Sequence, residues 1–385
     1  MKKIFCVFML VSALAGCSFV PLKGRADYIE KALYRRVHYK SEGNYRNIQL
    51  FYASSRQIEE QDGRLFFEPK MGDRLVFGKF NCKIDPLVKI GKVIPGALKK
   101  RGVIGVEDIE RLGDDDFIKS ISQAVRESPH QSLLVLAYGF KDSFELTAVK
   151  AAYFTYLLDV DTPVLLFDWP GDQSVAPWGY KKAGKFAVSS GAYLGDALAR
   201  VIREVKPKEL WIECSSLGCQ VVCSAFEWMY KHSDFADFQT EISHVVMSAP
   251  DVSKNEFNDR FKDEISALAD KLTVYVSSND RALLMAQIIE GQKKFGRQGS
   301  YVAGQEQFEE AKDLLYLKSL APDKLSIVDV TPINKASYRH GYDLEAPEFY
   351  DDFYMRIFDV SAHNNRRLYI VNVDENVDYW IMRSD

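Results

Sequence analysis

Several features that would place this chain in other classes of protein are scarce or missing. The 385 residues include 50 Lys and Arg against 54 Asp and Glu, a net charge of −4, so the basic excess of nucleic-acid-binding proteins is lacking and no nucleic-acid partner is predicted. The six cysteines form no Cys-x-x-Cys pair, and no His and Cys spacing suggests zinc. We therefore predict neither a metal nor a cofactor. With 47% hydrophobic residues, the composition suits a globular protein with a sizeable core.

The first residues resemble the leader of a bacterial lipoprotein. Two lysines precede an apolar run, Ile4 to Ala15, that is too short to span a bilayer as a mature helix. The run ends in Leu14-Ala15-Gly16-Cys17, which resembles a lipobox. The resemblance implies that residues 1–16 are a signal peptide and that Cys17 carries the lipid that anchors the protein to a membrane. An ordinary cleaved signal and a buried N-terminal strand are the alternatives.

The predicted organisation follows from that leader. Ser18 after the cysteine favours the outer membrane of the cell envelope as the location. Residues 17–45 are polar and mixed, which predicts a tether with a short helix from Tyr28 to Val37. Residues 46–385 then form the folded domain, in which segment 296–321 is a possible lid insertion.

Apolar runs alternate with helix-like segments along most of the chain. Two early strands are predicted at 47–53 and 74–82, and a terminal hairpin at 368–373 and 379–382, while 83–115 is hard to assign. Such alternation predicts an α/β fold with a mostly parallel central sheet and helices on both faces. The remaining strands are predicted at 133–137, 163–167, 210–212, 244–247, 272–276 and 325–330, and the helices near 116–127, 143–158, 180–205, 217–231, 254–270 and 281–295.

One serine lies where an apolar strand turns into a helix. The sequence Cys214-Ser215-Ser216-Leu217-Gly218 joins the two elements, as in the nucleophile elbow of α/β-hydrolases. Strand and helix nearly touch at such a turn, so the residues two before and two after the nucleophile must be small. Cys214 and Gly218 satisfy this requirement for Ser216, whereas Ser215 would be flanked by Glu213 and Leu217. We predict Ser216 as the nucleophile.

A serine nucleophile needs a base, and the base needs an orienting carboxylate. In this fold class the order along the chain is serine, acid, histidine. Beyond residue 250 the histidines are His340, in a polar loop after the last core strand, and His363, which is interpreted as a surface residue. Asp280 and Asp251 both follow predicted strands, where ligands bind in such sheets. We predict His340 as the base and Asp280 as the acid, with Asp251 as the alternative acid.

The remaining predicted site residues follow the first two core strands and the nucleophile. Backbone amides must bind the oxyanion of the tetrahedral intermediate, and the amides of Leu217 and Phe140 are the candidates. Gly139 would let the chain turn sharply before Phe140. The predicted pocket residues are Tyr138, Gly139, Asp168 and Trp169.

Taken together, these segments resemble a bacterial family of α/β-hydrolases of unknown function, often described as esterase/lipase-like. Ser277-Ser278-Asn279-Asp280-Arg281-Ala282-Leu283 is the most specific match, and the resemblance implies that Asp280 is the acid and His340 the base. The family usually has His-Gly at Tyr138-Gly139 and Ala-His-Ser-Met-Gly at 214–218, so substrate preference can differ. The matching stretches are 50–56, 137–144, 167–170, 215–218, 249–252, 277–283 and 340–342.

These residues predict a serine hydrolase that cleaves a small-molecule or lipid ester through an acyl-enzyme. Two alternatives remain open. The chain could be a non-catalytic surface lipoprotein that uses the scaffold for binding, because a fold alone does not establish activity. It could also transfer the acyl group to an acceptor other than water with the same three residues.

Overall fold

The computed structural model describes residues 40–42, 45–232, 241–297, 325–360, 362–365, 367–372 and 378–383. The helices are α1 (Pro95–Lys100), α2 (Asp114–Glu127), α3 (Phe144–Leu158), α4 (Pro177–Arg200), α5 (Leu217–His232), α6 (Lys254–Glu256), α7 (Lys262–Leu268), α8 (Arg281–Glu290), α9 (Tyr342–Glu345) and α10 (Pro347–Ile357). The strands are β1 (Lys40–Glu42), β2 (Tyr45–Gln61), β3 (Arg64–Ile84), β4 (Ile104–Leu112), β5 (Ser132–Ala137), β6 (Val164–Asp168), β7 (Glu209–Ser215), β8 (Ile242–Ser248), β9 (Ala269–Val276), β10 (Leu325–Asp329), β11 (Leu368–Asn372) and β12 (Asp378–Met382).

All twelve described strands belong to one sheet. Its order is β11-β12-β10-β9-β8-β7-β5-β6-β2-β3-β4, and β1 pairs with β2. Neighbouring strands run parallel from β12 to β2, while the pairs at the two ends are antiparallel. The predicted α/β class with a mostly parallel sheet is therefore confirmed.

Helices cover both faces of the sheet because the central strands are apolar on both sides. Ile212 and Cys214 of β7 face a core formed with α2, α4, α5 and α7, whereas Trp211, the residue before Ile212, faces a second core with α3 and α10. Burial on two faces explains why β5, β6 and the first half of β7 have continuous apolar runs without alternation. All four described cysteines are buried and free.

Physical reasons explain why some elements differ from the sequence-based prediction. The unassigned stretch 83–115 contains α1 and the edge strand β4, in which Ile104 alone is buried, so no apolar run marks the strand. The predicted hairpin 368–382 exists, but β12 also pairs in parallel with β10 and extends the main sheet. Two π-helical turns, Val201–Val205 and Phe257–Phe261, interrupt segments that were predicted as continuous helices.

Several predictions fall outside the described residues. These are the signal peptide, Cys17, the helix from Tyr28 to Val37 and residues 298–321 of the possible lid. Within the part of the chain that is described, no helix combines the length and the apolar character that crossing a membrane would require.

Candidate active site

Ser216 occupies the single residue between β7 and α5. Its φ is +56°, a left-handed conformation that is uncommon for a residue with a side chain and that clusters at functional sites. The turn is held by its backbone: the Ser216 amide donates to the Ser248 carbonyl at 3.0 Å, and the Ser216 carbonyl accepts from the amides of Cys219 and Asp251, each at 3.1 Å. The predicted strand-to-helix turn thus has the sharp backbone that aims a hydroxyl away from the sheet edge.

Two glycines make this turn possible because the backbone is crowded there. A Cβ atom on Gly218 would lie 2.1 Å from the carbonyl oxygen of Ala137, at the end of β5. A Cβ atom on Gly139 would lie 2.6 Å from the Cβ atom of Ser216 and 3.1 Å from its Oγ atom. The loop after β5 therefore approaches Ser216 as closely as backbone atoms permit.

His340 is joined to Asp280. The Nδ1 atom of His340 lies 2.7 Å from Oδ2 of Asp280, whose side chain is fully buried, while the His340 side chain remains 23% exposed. The other oxygen, Oδ1, accepts from the Leu283 amide at 2.8 Å and caps α8. One carboxylate thus begins a helix and orients an imidazole through its Nδ1 atom.

The loop that carries His340 is held by a residue that the sequence analysis did not single out. The side-chain amide of Asn334 donates to the carbonyl of Arg339 at 2.6 Å and to the hydroxyl of Ser277 at 2.8 Å. Ser277 precedes Asp280 on the loop after β9, so the fully buried Asn334 ties the loop of the base to the loop of the acid. The sequence around Asn334 does not indicate this role. Ser277 is distant along the chain, and Arg339 belongs to an irregular loop.

Opposing effects act on the pKa of His340. Burial favours the neutral ring and lowers the pKa, whereas the charge and hydrogen bond of Asp280 raise it. Asp343 and Asp251 add smaller effects that also raise it, and the pKa of His340 lies above its ordinary value of 6.5. The carboxylate therefore stabilises the imidazolium that would form if His340 accepted a proton from Ser216.

The two predicted oxyanion donors flank the turn. Leu217 begins α5, so its amide is one of the helix N-terminal donors that lack a partner within the helix. Phe140 follows Gly139 in the loop that packs on Ser216. In the described part of the chain, the backbone hydrogen bonds of loops, turns and helix ends include none donated by the amide of Leu217 or of Phe140.

Asp251, the alternative acid, has other partners. Its Oδ1 atom lies 2.9 Å from Nζ of Lys294, with both side chains 4% exposed, and its Oδ2 atom accepts from the Tyr180 hydroxyl at 2.7 Å. Burial lowers the pKa of Lys294, but Asp251 and Glu290 outweigh that effect and raise it. Asp251 thus belongs to a buried ion pair beside the site, while His340 bonds to Asp280.

Three of the predicted pocket residues are turned into the protein. Tyr138, Asp168 and Trp169 are each buried. The Trp169 indole donates to the Tyr138 carbonyl at 2.7 Å, and Asp168 accepts from Nε of Arg56 at 2.9 Å. They hold the loop after β5 from within, whereas Gly139 lies against Ser216.

Arg56 is a second residue whose role the sequence did not indicate. Its side chain is fully buried, and besides Asp168 it pairs with Asp172 and donates from Nη2 to the Asp142 carbonyl at 3.2 Å. Asp142 lies two residues after Phe140, so the guanidinium holds the loop of the predicted oxyanion donor. The amide of Lys141, which donates to the Gly171 carbonyl at 2.8 Å, fixes the same loop from the other side.

The described part of the chain contains no group of three or more His, Cys, Asp or Glu side chains arranged to hold a metal ion. The arrangement instead combines a hydroxyl on a strained turn, an imidazole paired with a carboxylate, and backbone amides at a helix N-terminus. Those groups are suited to acyl transfer.

Comparisons with known proteins agree with the fold. The crystal structure of Porphyromonas gingivalis dipeptidyl peptidase 4 matches with a TM-score of 0.30 and 11% identity over 85% of this chain and 51% of that one. This chain thus spans about half the length of that structure, and a likeness at this level carries no argument about fold or activity. No curated protein matches the sequence. A family model described as "Alpha/beta hydrolase of unknown function (DUF900)" matches residues 114–356, more than half of the chain. The chain therefore belongs to the DUF900 family of alpha/beta hydrolases.

Proposed function

We propose that this protein is a serine hydrolase that cleaves a carboxylic ester through an acyl-enzyme. The observation that carries the proposal is the 2.7 Å contact between His340 and the buried Asp280, on the same sheet edge as the left-handed Ser216. Membership of an alpha/beta hydrolase family supports the reaction class. The ester as substrate rests on the resemblance to esterase/lipase-like proteins.

In the first half of the proposed reaction, His340 accepts the proton of the Ser216 hydroxyl while Oγ attacks the ester carbonyl carbon. The amides of Leu217 and Phe140 stabilise the oxyanion of the tetrahedral intermediate. When the C–O bond breaks, His340 returns the proton to the alcohol that leaves. Asp280 keeps the imidazole in the tautomer that presents Nε2 to Ser216.

In the second half, a water molecule gives its proton to His340 and attacks the acyl carbon. The tetrahedral intermediate collapses, Ser216 recovers its proton, and the acid is released. Backbone donors stay in place throughout, so no reorganisation is needed between the two halves.

A fluorophosphonate probe tests the proposal because it reacts with an activated serine regardless of the natural substrate. We expect labelling of the wild-type protein at Ser216 by peptide mass spectrometry, and none in Ser216→Ala. Ser215→Ala is the matched control, since it removes the neighbouring hydroxyl, and it should retain the label. A folded wild-type protein that does not react with the probe would refute the proposal. Model esters of increasing acyl length would then define the substrate range.

We also propose that Cys17 is lipidated and anchors the hydrolase to the outer membrane. The support is the lipobox-like sequence Leu14-Ala15-Gly16-Cys17 after a short apolar run. Cells fed an alkyne fatty acid should label the wild-type protein and Cys6→Ser, whose substituted residue lies in the predicted signal peptide, but not Cys17→Ser. Equal labelling of Cys17→Ser would exclude this anchor.

A further inference from the structure

A buried carboxyl group lies directly behind the nucleophile turn and has no part in the reaction described above. Glu213 is on β7, three residues before Ser216, and is completely inaccessible to solvent. Neither carboxyl oxygen makes a hydrogen bond of good geometry within the described residues, and the buried Tyr138 and Ser248 hydroxyls beside it make none either. An ionised carboxylate in such a position would carry a large desolvation penalty, so the protonation state of Glu213 requires an explanation.

The neighbours of Glu213 come from each element packed around it. Asp343 of α9, itself 4% exposed, has the largest electrostatic effect on it among charged groups. Lys150 of α3 is the nearby cation, but its Nζ atom pairs with Asp142 and lies 5.8 Å from the centre of the Tyr138 ring. Besides each other, the titratable or charged groups that interact electrostatically with Glu213 or Asp343 are Tyr138, Lys150, Cys214, Cys219, His340, Tyr342, Glu345 and Tyr350.

The electrostatics differ for the two carboxyl groups. Burial raises the pKa of Glu213 well above 4.5, and the charge of Asp343 raises it further, against smaller lowering effects of Ser248 and Lys150. Burial also raises the pKa of Asp343, but Lys150, His340 and the Ser215 hydroxyl lower it. Two like charges this deeply buried cannot both form at neutral pH without a large cost. Asp343 has the stronger stabilising partners, so Glu213 is the group that keeps the proton.

The position of the two groups links this proton to the active site. Glu213 is on the strand that presents Ser216, and Asp343 is three residues after His340 and interacts with Ser215. The electrostatic interaction of the two carboxyl groups therefore links the strand of the nucleophile to the segment of the base. Within the same segment, the Tyr342 hydroxyl accepts from the Ala249 amide at 2.6 Å and donates to the Tyr275 carbonyl at 2.9 Å, which fixes α9 to the sheet edge.

We propose that Glu213 is a neutral carboxylic acid that shares the buried space behind Ser216 with the Asp343 carboxylate, and that this one-proton pair positions the nucleophile turn relative to the His340 loop. The inference rests on the proposed hydrolase function. Loss of the proton places two negative charges between β7 and α9, and their repulsion displaces Ser216 from His340. Glu213 is thus a positioning residue that makes the hydrolase sensitive to alkaline pH.

Glu213→Gln tests the inference because glutamine imitates the neutral acid and cannot ionise. Glu348→Gln is the matched control: Glu348 is also a buried glutamate, but it lies on α10, where its Oε1 atom is 3.9 Å from Nη1 of Arg367. In the wild type, Glu213 of the folded protein keeps a proton that the unfolded chain releases near the ordinary pKa of glutamate. The stability of the wild type therefore falls as pH rises above that ordinary pKa. We expect Glu213→Gln to remove part of this fall in stability. The Tm of Glu213→Gln minus the Tm of the wild type should therefore increase from about pH 5 to pH 9, a range in which an unperturbed Glu is ionised. Glu348→Gln should follow the wild type.

A second readout is the rate of fluorophosphonate labelling against pH. At neutral pH, Glu213→Gln should label at a rate within about 2-fold of the wild type, and above the pKa of Glu213 the wild-type rate should fall about 10-fold per pH unit while the variant rate does not. A third readout, which needs no variant, is the infrared band of protonated carboxyl groups in protein with isotope-labelled glutamate at neutral pH.

The outcomes separate this inference from the proposed function. If the wild type does not react with the probe, the hydrolase proposal fails and the positioning role fails with it, while the stability profile and infrared band still decide whether Glu213 is neutral. Identical pH profiles of wild type and Glu213→Gln, loss of labelling in Glu213→Gln at neutral pH, or the absence of a protonated glutamate band would each overturn the inference.

Discussion

Gly139 lies against Ser216 so closely that a Cβ atom on the glycine would be 2.6 Å from the Cβ atom of the serine. At Gly139, the loop after β5 is therefore in close contact with the turn that carries Ser216. Their separation can increase only if one of the two segments moves. Because the loop is held by Arg56 and Trp169 and the turn by the Ser248 carbonyl, a side chain at position 139 displaces elements that are otherwise fixed.

This contact predicts the effect of Gly139→Ala. The added methyl group pushes the Phe140 amide away from the site, and loss of one oxyanion donor costs about 10²–10³-fold in rate. We expect a decrease of that order in the rate of fluorophosphonate labelling. Gly91→Ala is the control, because a Cβ atom there meets nothing within 4 Å. Wild-type labelling of Gly139→Ala would show that the loop does not contribute a donor.

Asp280→Asn separates orientation of the base from folding. Asparagine caps a helix about as well as aspartate, so α8 should still form. Its NH₂ group can donate to the imidazole and so favours the wrong tautomer of His340. The corresponding change in a known serine protease lowers the rate by about 10⁴-fold. We expect a loss of this order in ester hydrolysis with a nearly unchanged Tm. Asp280→Ala should lose, in addition, about 1 kcal/mol of stability from the missing cap, measured by urea unfolding.

The raised pKa of His340 predicts an acid limit to activity. His340 must be neutral to accept a proton, so hydrolysis should fall as pH drops through a pKa above 6.5. The same shift means that protonated His340 contributes stability below its unfolded pKa, and that this contribution is lost as pH rises through the folded value. The acid limit of hydrolysis and the loss of stability at higher pH can both be measured in one pH series of rate and Tm.

Asp251→Asn is expected to move that acid limit without removing activity. Asp251 raises the pKa of His340 by its charge but bonds to Lys294 and Tyr180. Its neutral replacement should shift the acid limb of the rate profile to lower pH and retain most of the rate at the plateau. A loss as severe as that of Asp280→Asn would instead identify Asp251 as the acid.

Arg56→Met tests whether Arg56 holds the loop after β5 that carries Phe140. The substitution leaves Asp168 buried without its counter-charge, which typically costs about 3–5 kcal/mol. Urea unfolding should report a loss of that size, whereas Arg200→Met, at a partly exposed pair with Asp114, should cost about 1 kcal/mol or less. Equal effects of the two substitutions would mean that Arg56 has no special structural role.

The strands and helices of the central sheet could be predicted because their signals are local. β5 and β6 are buried on both faces and are apolar except for the terminal Ser132 and Asp168, and α2 begins and ends within two residues of its prediction. β4 was missed because an edge strand with one buried residue is polar along most of its length. The pairing of β12 with β10 could not be predicted, because pairing depends on a partner about 50 residues away and not on the residues of β12.

The sequence by itself determined the class of fold and the Ser216 turn, because periodicity, small residues and chain order are properties of neighbouring residues. The assignment of Ser216, Asp280 and His340 to catalysis stays a prediction. Only the tertiary structure decided which aspartate His340 meets: Asp251 and Asp280 both follow strands, but Lys294 and Tyr180 engage the first and leave the second to the imidazole. The tertiary structure also decided that Asp168 and Trp169 hold the loop after β5 from the interior, since a side chain's direction depends on what packs around it.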